Sequence, residues 1–216
     1  IVINTVGLWL LSKQNLALIN EQPYLAASQI LALIGVIFLS LTLVLSARLS
    51  FLEDIFGGLD KDYILHHVLG SLGFVLIINH PLLLVVQSLP LYSIVLQYLL
   101  PIGELSIVLG VIAVYLCMFS FICMVFIKLP YHIWIITHDL LAVAFLLGSI
   151  HALLVPSDIS NSWFLRIWML CFMMAGIAAA GYIIFLFNRL GPRYKYKIVG
   201  SEINNDIIHL SFEAID

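Results

Sequence analysis

The sequence predicts an all-α fold, a bundle of six transmembrane helices, followed by the opening of a small soluble β domain. Three observations lead there. Of the 216 residues, 63% are hydrophobic and only 10% charged, with a mean hydropathy of +1.14. A water-soluble domain of this length does not reach that balance. The apolar residues gather into runs of about 20, the length that crosses about 30 Å of hydrocarbon. The tail, "YKYKIVGSEINNDIIHLSFEAID", instead alternates polar and apolar residues.

The first run is fragmentary, from Ile1 to about Leu11. The second covers about Tyr24 to Ala47 and the third Tyr63 to Val86. The fourth covers Ile102 to Ile127, the fifth Ile133 to Val155 and the sixth Trp163 to Phe187. Pro23, Pro90, Pro101, Pro130, Pro156 and Pro192 fall at or between the ends, where helices stop. The chain does not begin with methionine, so its N-terminus is expected to be cut or unseen. It shows no signal-peptide pattern and no internal repeat.

Basic residues set the expected orientation. Arg48, Lys61, Lys128, Arg189, Arg193, Lys195 and Lys197, seven of the nine, fall on one side if six spans alternate. That side is expected to be cytoplasmic, with Lys13 and Arg166 on the other. Spans three and five then run in the same direction, from the cytoplasm outward. The tail reads as a two-stranded hairpin turning at Asn204-Asn205-Asp206. Two strands do not make a domain, so the rest of a β domain is expected beyond them. The bilayer is the expected surrounding, and no nucleic-acid partner is expected.

The three cysteines, Cys117, Cys123 and Cys171, lie inside apolar runs at no metal-binding spacing and read as small hydrophobes. The seven histidines are more informative. His209 lies in the tail and His132 at the mouth of span five. Inside the spans lie His66, His67 and His80 on span three, and His138 and His151 on span five. A lone membrane histidine is usually a helix–helix hydrogen bond. Here two parallel spans each carry one near the inner end and one near the outer end.

Neutral imidazole is a good axial ligand for haem iron. A haem between two helices takes one histidine from each, and two haems take two levels. His66 to His80 is 14 residues, about 21 Å of helical rise. His138 to His151 is 13 residues, about 20 Å. The expected pairs are His66 with His138 and His80 with His151, each set also serving as the metal ligands. Fourteen steps return to within about 40° of the same helix face, whereas thirteen end about 140° away. Span five is therefore expected either to be distorted, near Gly148-Ser149, or to present its histidines at different azimuths. His67 competes with His66. Structural histidines, another metal and a proton pathway remain the other readings. Metal and proton sites usually include carboxylates, and spans three and five carry only Asp62 and Asp139, both at the inner end.

These residues resemble the ferric reductase-like transmembrane family, which includes NADPH oxidases. "HHVLG" followed by "NH" resembles its third helix, and "YHIWIITHDLL" followed by "IH" its fifth. "RLSFLEDIFGGLDKDYILHH" resembles the loop of bacterial NADPH oxidase-like members. "YKYKIVGSEINNDIIHLSF" resembles the start of the flavin-binding β-barrel that follows the membrane domain. The resemblance extends from about Leu33 to Phe212.

It implies two b-type haems in a six-helix membrane domain, residues 1–190, with residues 191–216 opening a FAD-binding barrel. It implies ligation of the inner haem by His66 and His138, and of the outer haem by His80 and His151. Electrons would come from cytoplasmic NADPH through FAD in a C-terminal flavin dehydrogenase domain. They would leave to oxygen, giving superoxide, or to a ferric chelate, giving ferrous iron. The expected location is a bacterial plasma membrane, with the C-terminus cytoplasmic.

The sequence departs from some relatives. Where some NADPH oxidases carry a second outer histidine, four residues after His80, it has Leu84, and Pro81 follows His80 directly. The outer half of span two has Ser28 and Gln29 but no arginine. Where the family often sets an aromatic between the haems it has Ala144, with Phe145 beside it and Phe74 midway along span three. Anionic haem propionates could be met by Lys61, Arg48, Lys128 and Arg189 inside and by Arg166 outside. Positive-inside bias alone also accounts for the inner four. Arg166 is expected to have a partner, Glu104 being one candidate. Tyr92, Gln97 and Tyr98 read as an interfacial belt or the lining of an acceptor pocket. Two other functions compete: a quinone-linked haem subunit feeding a partner protein, and a non-redox transporter with structural histidines.

Overall fold

The computed structural model describes residues 1–13, 15–187, 195–204 and 207–215. Helix α1 is Val2–Ser12, α2 Ala17–Glu21, α3 Pro23–Ser46, α4 Ser50–Phe56 and α5 Leu59–Ser88. Then follow α6 Tyr92–Leu99, α7 Leu105–Phe126, α8 Tyr131–Leu154, α9 Asp158–Asn161 and α10 Trp163–Gly181. A π-helical segment, Tyr182–Phe187, continues α10.

Among the described residues, five helices are long and apolar enough to cross a membrane: α3, α5, α7, α8 and α10 with its extension. They match expected spans two to six. The expected first span is α1, an apolar helix of 11 residues, which rises only about 16 Å. Proline sets several of the boundaries. Pro23 opens α3 and Pro130 caps α8, where a missing N–H costs nothing. Pro81 is the exception. It lies inside α5, which continues beyond it to Ser88. Four short helices were not expected: α2, α4 and α6 in loops, and α9 between α8 and α10.

A buried apolar cluster joins α1, α3 and α10 through Trp9, Leu33, Ile37, Leu165, Met169 and Met173. Helix α5 lies on the other side of α3. It packs there at very close range, because a Cβ on Gly73 would fall 2.9 Å from a methyl of Leu39, and one on Gly35 would fall 2.9 Å from Ile77. Small residues let two membrane helices bring their backbones together. Helix α7 packs on α8 in the same extended way. Helices α5 and α8, which carry the histidines, are not one of the extensively packed pairs. A cavity runs between them.

The tail forms antiparallel strands β1, Lys195–Asn204, and β2, Ile207–Ile215, in register from Lys195 opposite Ile215 to Asn204 opposite Ile207. A bulge interrupts the register between Ile198 and Gly200. Arg189, Pro192 and Arg193, and the expected turn at Asn205-Asp206, lie outside the described residues.

Candidate functional site

The cavity has a volume of about 1470 Å³ and is walled by α3, α5, α7, α8 and α10. That exceeds the roughly 300–1,000 Å³ of an ordinary small-molecule pocket. His66, His80, His138 and His151 all line it, as does His67.

Three of the four paired histidines are fixed in the same way. His66 Nδ1 lies 3.0 Å from the carbonyl oxygen of Thr42, on α3. His80 Nδ1 lies 3.1 Å from the carbonyl of Ser28, also on α3, and 2.7 Å from its hydroxyl. The Ser28 hydroxyl in turn donates to the His80 carbonyl at 3.0 Å. His151 Nδ1 lies 2.6 Å from the carbonyl of Ser106, on α7. A carbonyl only accepts, so each Nδ1 carries the hydrogen. Each Nε2 then holds its lone pair free for a ligand. Histidines that bind metals are commonly oriented by a hydrogen bond of this kind at the other ring nitrogen.

His138 is held differently: among the described residues, none makes a hydrogen bond to its ring. It lies between two aromatic neighbours. The indole of Trp134, one turn earlier on α8, is 5.3 Å away at 36°. The His66 ring is 6.0 Å away with its plane only 22° off parallel. His67 stands to one side, 5.7 Å from His66 at 85° and 4.4 Å from Tyr63.

The two sequence spacings now find their geometry. The α5 histidines, 14 apart, both turn Nδ1 toward α3, as a shared face requires. The α8 histidines, 13 apart, face different neighbours. His138 meets His66 on α5, whereas His151 meets Ser106 and Gly110 on α7. Helix α8 continues unbroken through Gly148-Ser149, so the different azimuths are the outcome. Gly110 makes room for this, since a Cβ there would stand 2.7 Å from His151 Nδ1.

Between the two levels, Phe74 on α5 stacks face to face with Phe121 on α7, 4.0 Å apart at 8°. Both rings line the cavity. Ala144 and Phe145 line it too and are otherwise buried; Phe145 fills the space beside Gly176.

The basic residues expected at the cofactor divide. Arg48 lines the cavity; Lys61 and Arg166 do not. Lys61 folds back toward Gly57, in the turn before α5. Arg166 is half-buried on α10 and makes no ion pair with Glu104, which lines the cavity without it. Asp62 is 2% exposed at the His66 end, and its carboxylate oxygens have no hydrogen-bond partner.

At the His80 end lies a polar node that sequence reading missed. Lys13 pairs with Asp158 at 2.7 Å and donates to Gln29 at 2.7 Å. Trp9 Nε1 donates to the same Asp158 oxygen at 3.1 Å. Gln29 and Asp158 both reach the cavity wall. The partners are 145 residues apart in the chain, and no local pattern signals such a pairing.

Comparison with known proteins gives one family. The pattern described as "Ferric reductase like transmembrane component" matches residues 31–149, more than half of the chain. The match takes in α5 with its three histidines and α8 through Ser149, stopping just short of His151. A search of curated proteins gives no match. With its five apolar helices, the chain is an integral membrane protein. It belongs to the family of ferric reductase-like transmembrane components, oxidoreductase-type proteins that transfer electrons across a membrane.

Proposed function

We propose that the chain holds two b-type haems, one at the His66–His138 level and one at the His80–His151 level. On this reading it conducts electrons outward from a cytoplasmic NADPH- and FAD-binding domain. The observation that carries it is the separation of His66 and His138. A metal–imidazole bond is about 2 Å, so two rings sharing one metal stand about 6 Å apart centre to centre. The observed separation is 6.0 Å, across a cavity that both rings line. His80 and His151 line the same cavity, each with Nδ1 held by a carbonyl of a neighbouring helix. Members of this family commonly bind haem. A haem so bound supplies a one-electron iron couple at each level.

The chain's own residues do the rest. The carbonyls of Thr42, Ser28 and Ser106 fix the tautomer that leaves Nε2 free. The apolar walls keep water away. Because His66 with His138, and His80 with His151, would supply both protein ligands at each level, a one-electron acceptor would be reduced without binding the metal. Oxygen, giving superoxide, and a ferric chelate, giving ferrous iron, are both acceptors of that kind. Helix α1 fits as part of a sixth span, since Trp9 and Thr5 are buried against α3 and α10. The tail strands fit the opening of the flavin barrel on the cytoplasmic side, and the orientation suits a bacterial plasma membrane.

The test uses protein reduced anaerobically in liposomes, then mixed with oxygen or a ferric chelate. The expected result is reoxidation with one superoxide or one ferrous ion captured per electron lost. A reduced protein that neither acceptor reoxidises would contradict the reading.

A further inference from the structure

Three of the paired histidines rest on a carbonyl, and His138 rests on Trp134. We infer that Trp134 is a positioning residue for His138, doing with its ring face what Thr42, Ser28 and Ser106 do with a carbonyl oxygen. This inference rests on the di-haem reading above.

The argument starts from what an unanchored imidazole would do. A histidine ring turns freely about its last torsion unless something holds it. Among the described residues no acceptor meets Nδ1, and nothing polar there chooses between the two tautomers of His138 or sets its plane. Its plane is nevertheless set, at 22° to that of His66. Neighbouring ring surfaces restrict that torsion. Trp134 precedes His138 by four residues, the spacing that brings two side chains together on one helix face. Its ring lies 5.3 Å from the imidazole, tilted by 36°. Tyr131, one turn earlier, stacks on the other end of the row, 6.2 Å from Trp134 at 18°. Trp134 itself lines the cavity. The row Tyr131–Trp134–His138 therefore runs from the exposed start of α8 into the cavity.

The test is electron paramagnetic resonance of the oxidised, haem-loaded protein, which reports the relative orientation of the two axial ligand planes separately for each low-spin centre. The centre that depends on His138 is assigned as the signal lost in His138→Ala. The variants are Trp134→Phe, Trp134→Leu and Trp134→Met, the last two removing the ring while leaving an apolar side chain suited to a membrane helix. Trp134→Leu or Trp134→Met, whichever is recovered folded, is expected to shift and broaden the His138-dependent signal and leave the other in place. Trp134→Phe, which keeps a ring face, is expected to retain the wild-type signal. Two unchanged signals without the ring would overturn the inference alone, as would equal shifts in both. Wild-type protein with no low-spin signal would overturn the di-haem reading and this inference with it.

Discussion

The two histidine levels use the same residue type and hold it in different ways. At the His80–His151 level, both rings are tied through Nδ1 to a carbonyl on a neighbouring helix. Each of those helices also comes unusually close. Ser28 bonds back to the His80 carbonyl, and Gly110 lets the α7 backbone lie against the His151 ring. At the other level only His66 is tied, and His138 is flanked by rings. A hydrogen bond fixes both tautomer and direction, whereas a ring contact fixes plane more than tautomer. The first level is thus the more tightly specified, and the second depends on side-chain packing.

That contrast can be broken at several points. The largest effect is expected from the ligands themselves. His80→Leu or His151→Leu should remove one haem of two by pyridine-haemochrome count, while His67→Leu should keep both. Loss of a haem in His67→Leu with none lost in His66→Leu would exchange the two residues' roles. Next comes Gly110→Ala. Its Cβ would stand 2.7 Å from a ring held by Ser106, so the ring or α7 must move. The expected outcome is a changed or lost signal at the His151 level alone. Equal disturbance of both levels would mean a bundle-wide repacking instead.

A smaller and different effect is expected at the polar node. Removing one partner of a buried ion pair costs about 3–5 kcal/mol. The side chains of Lys13 and Asp158 keep 12% and 17% exposure, so the lower end of that range applies. Lys13→Met should therefore lower the unfolding temperature in detergent while the haem count stays at two. Unchanged stability would show that the node adds little to holding α1 and α9 against α3.

Much of this was legible in the sequence, for identifiable reasons. Spans two to six could be read because hydrophobic length is imposed by the bilayer rather than by tertiary context. The histidines stood out because imidazole has no place in lipid without a partner. The 14- and 13-residue spacings even carried the azimuth difference that α8 displays. What could not be read were partners that have no side-chain signature. The carbonyls of Thr42 and Ser106 are backbone groups that every residue has. Gly110 is one of 13 glycines, and only the approach of His151 marks it out. Lys13 and Asp158 meet across the fold, whereas Arg166, the charge that looked in need of a partner, makes no pair with Glu104. The short helices α2, α4, α6 and α9 are too brief for periodicity to declare them.

The central claim is that the four histidines bind two haems at two levels. The most direct test is the visible spectrum of the purified chain, oxidised and then dithionite-reduced, with a haem count. The account predicts a sharp reduced α band of low-spin b-type haem at two haems per chain. A folded protein, produced with haem available, that stays colourless would contradict it.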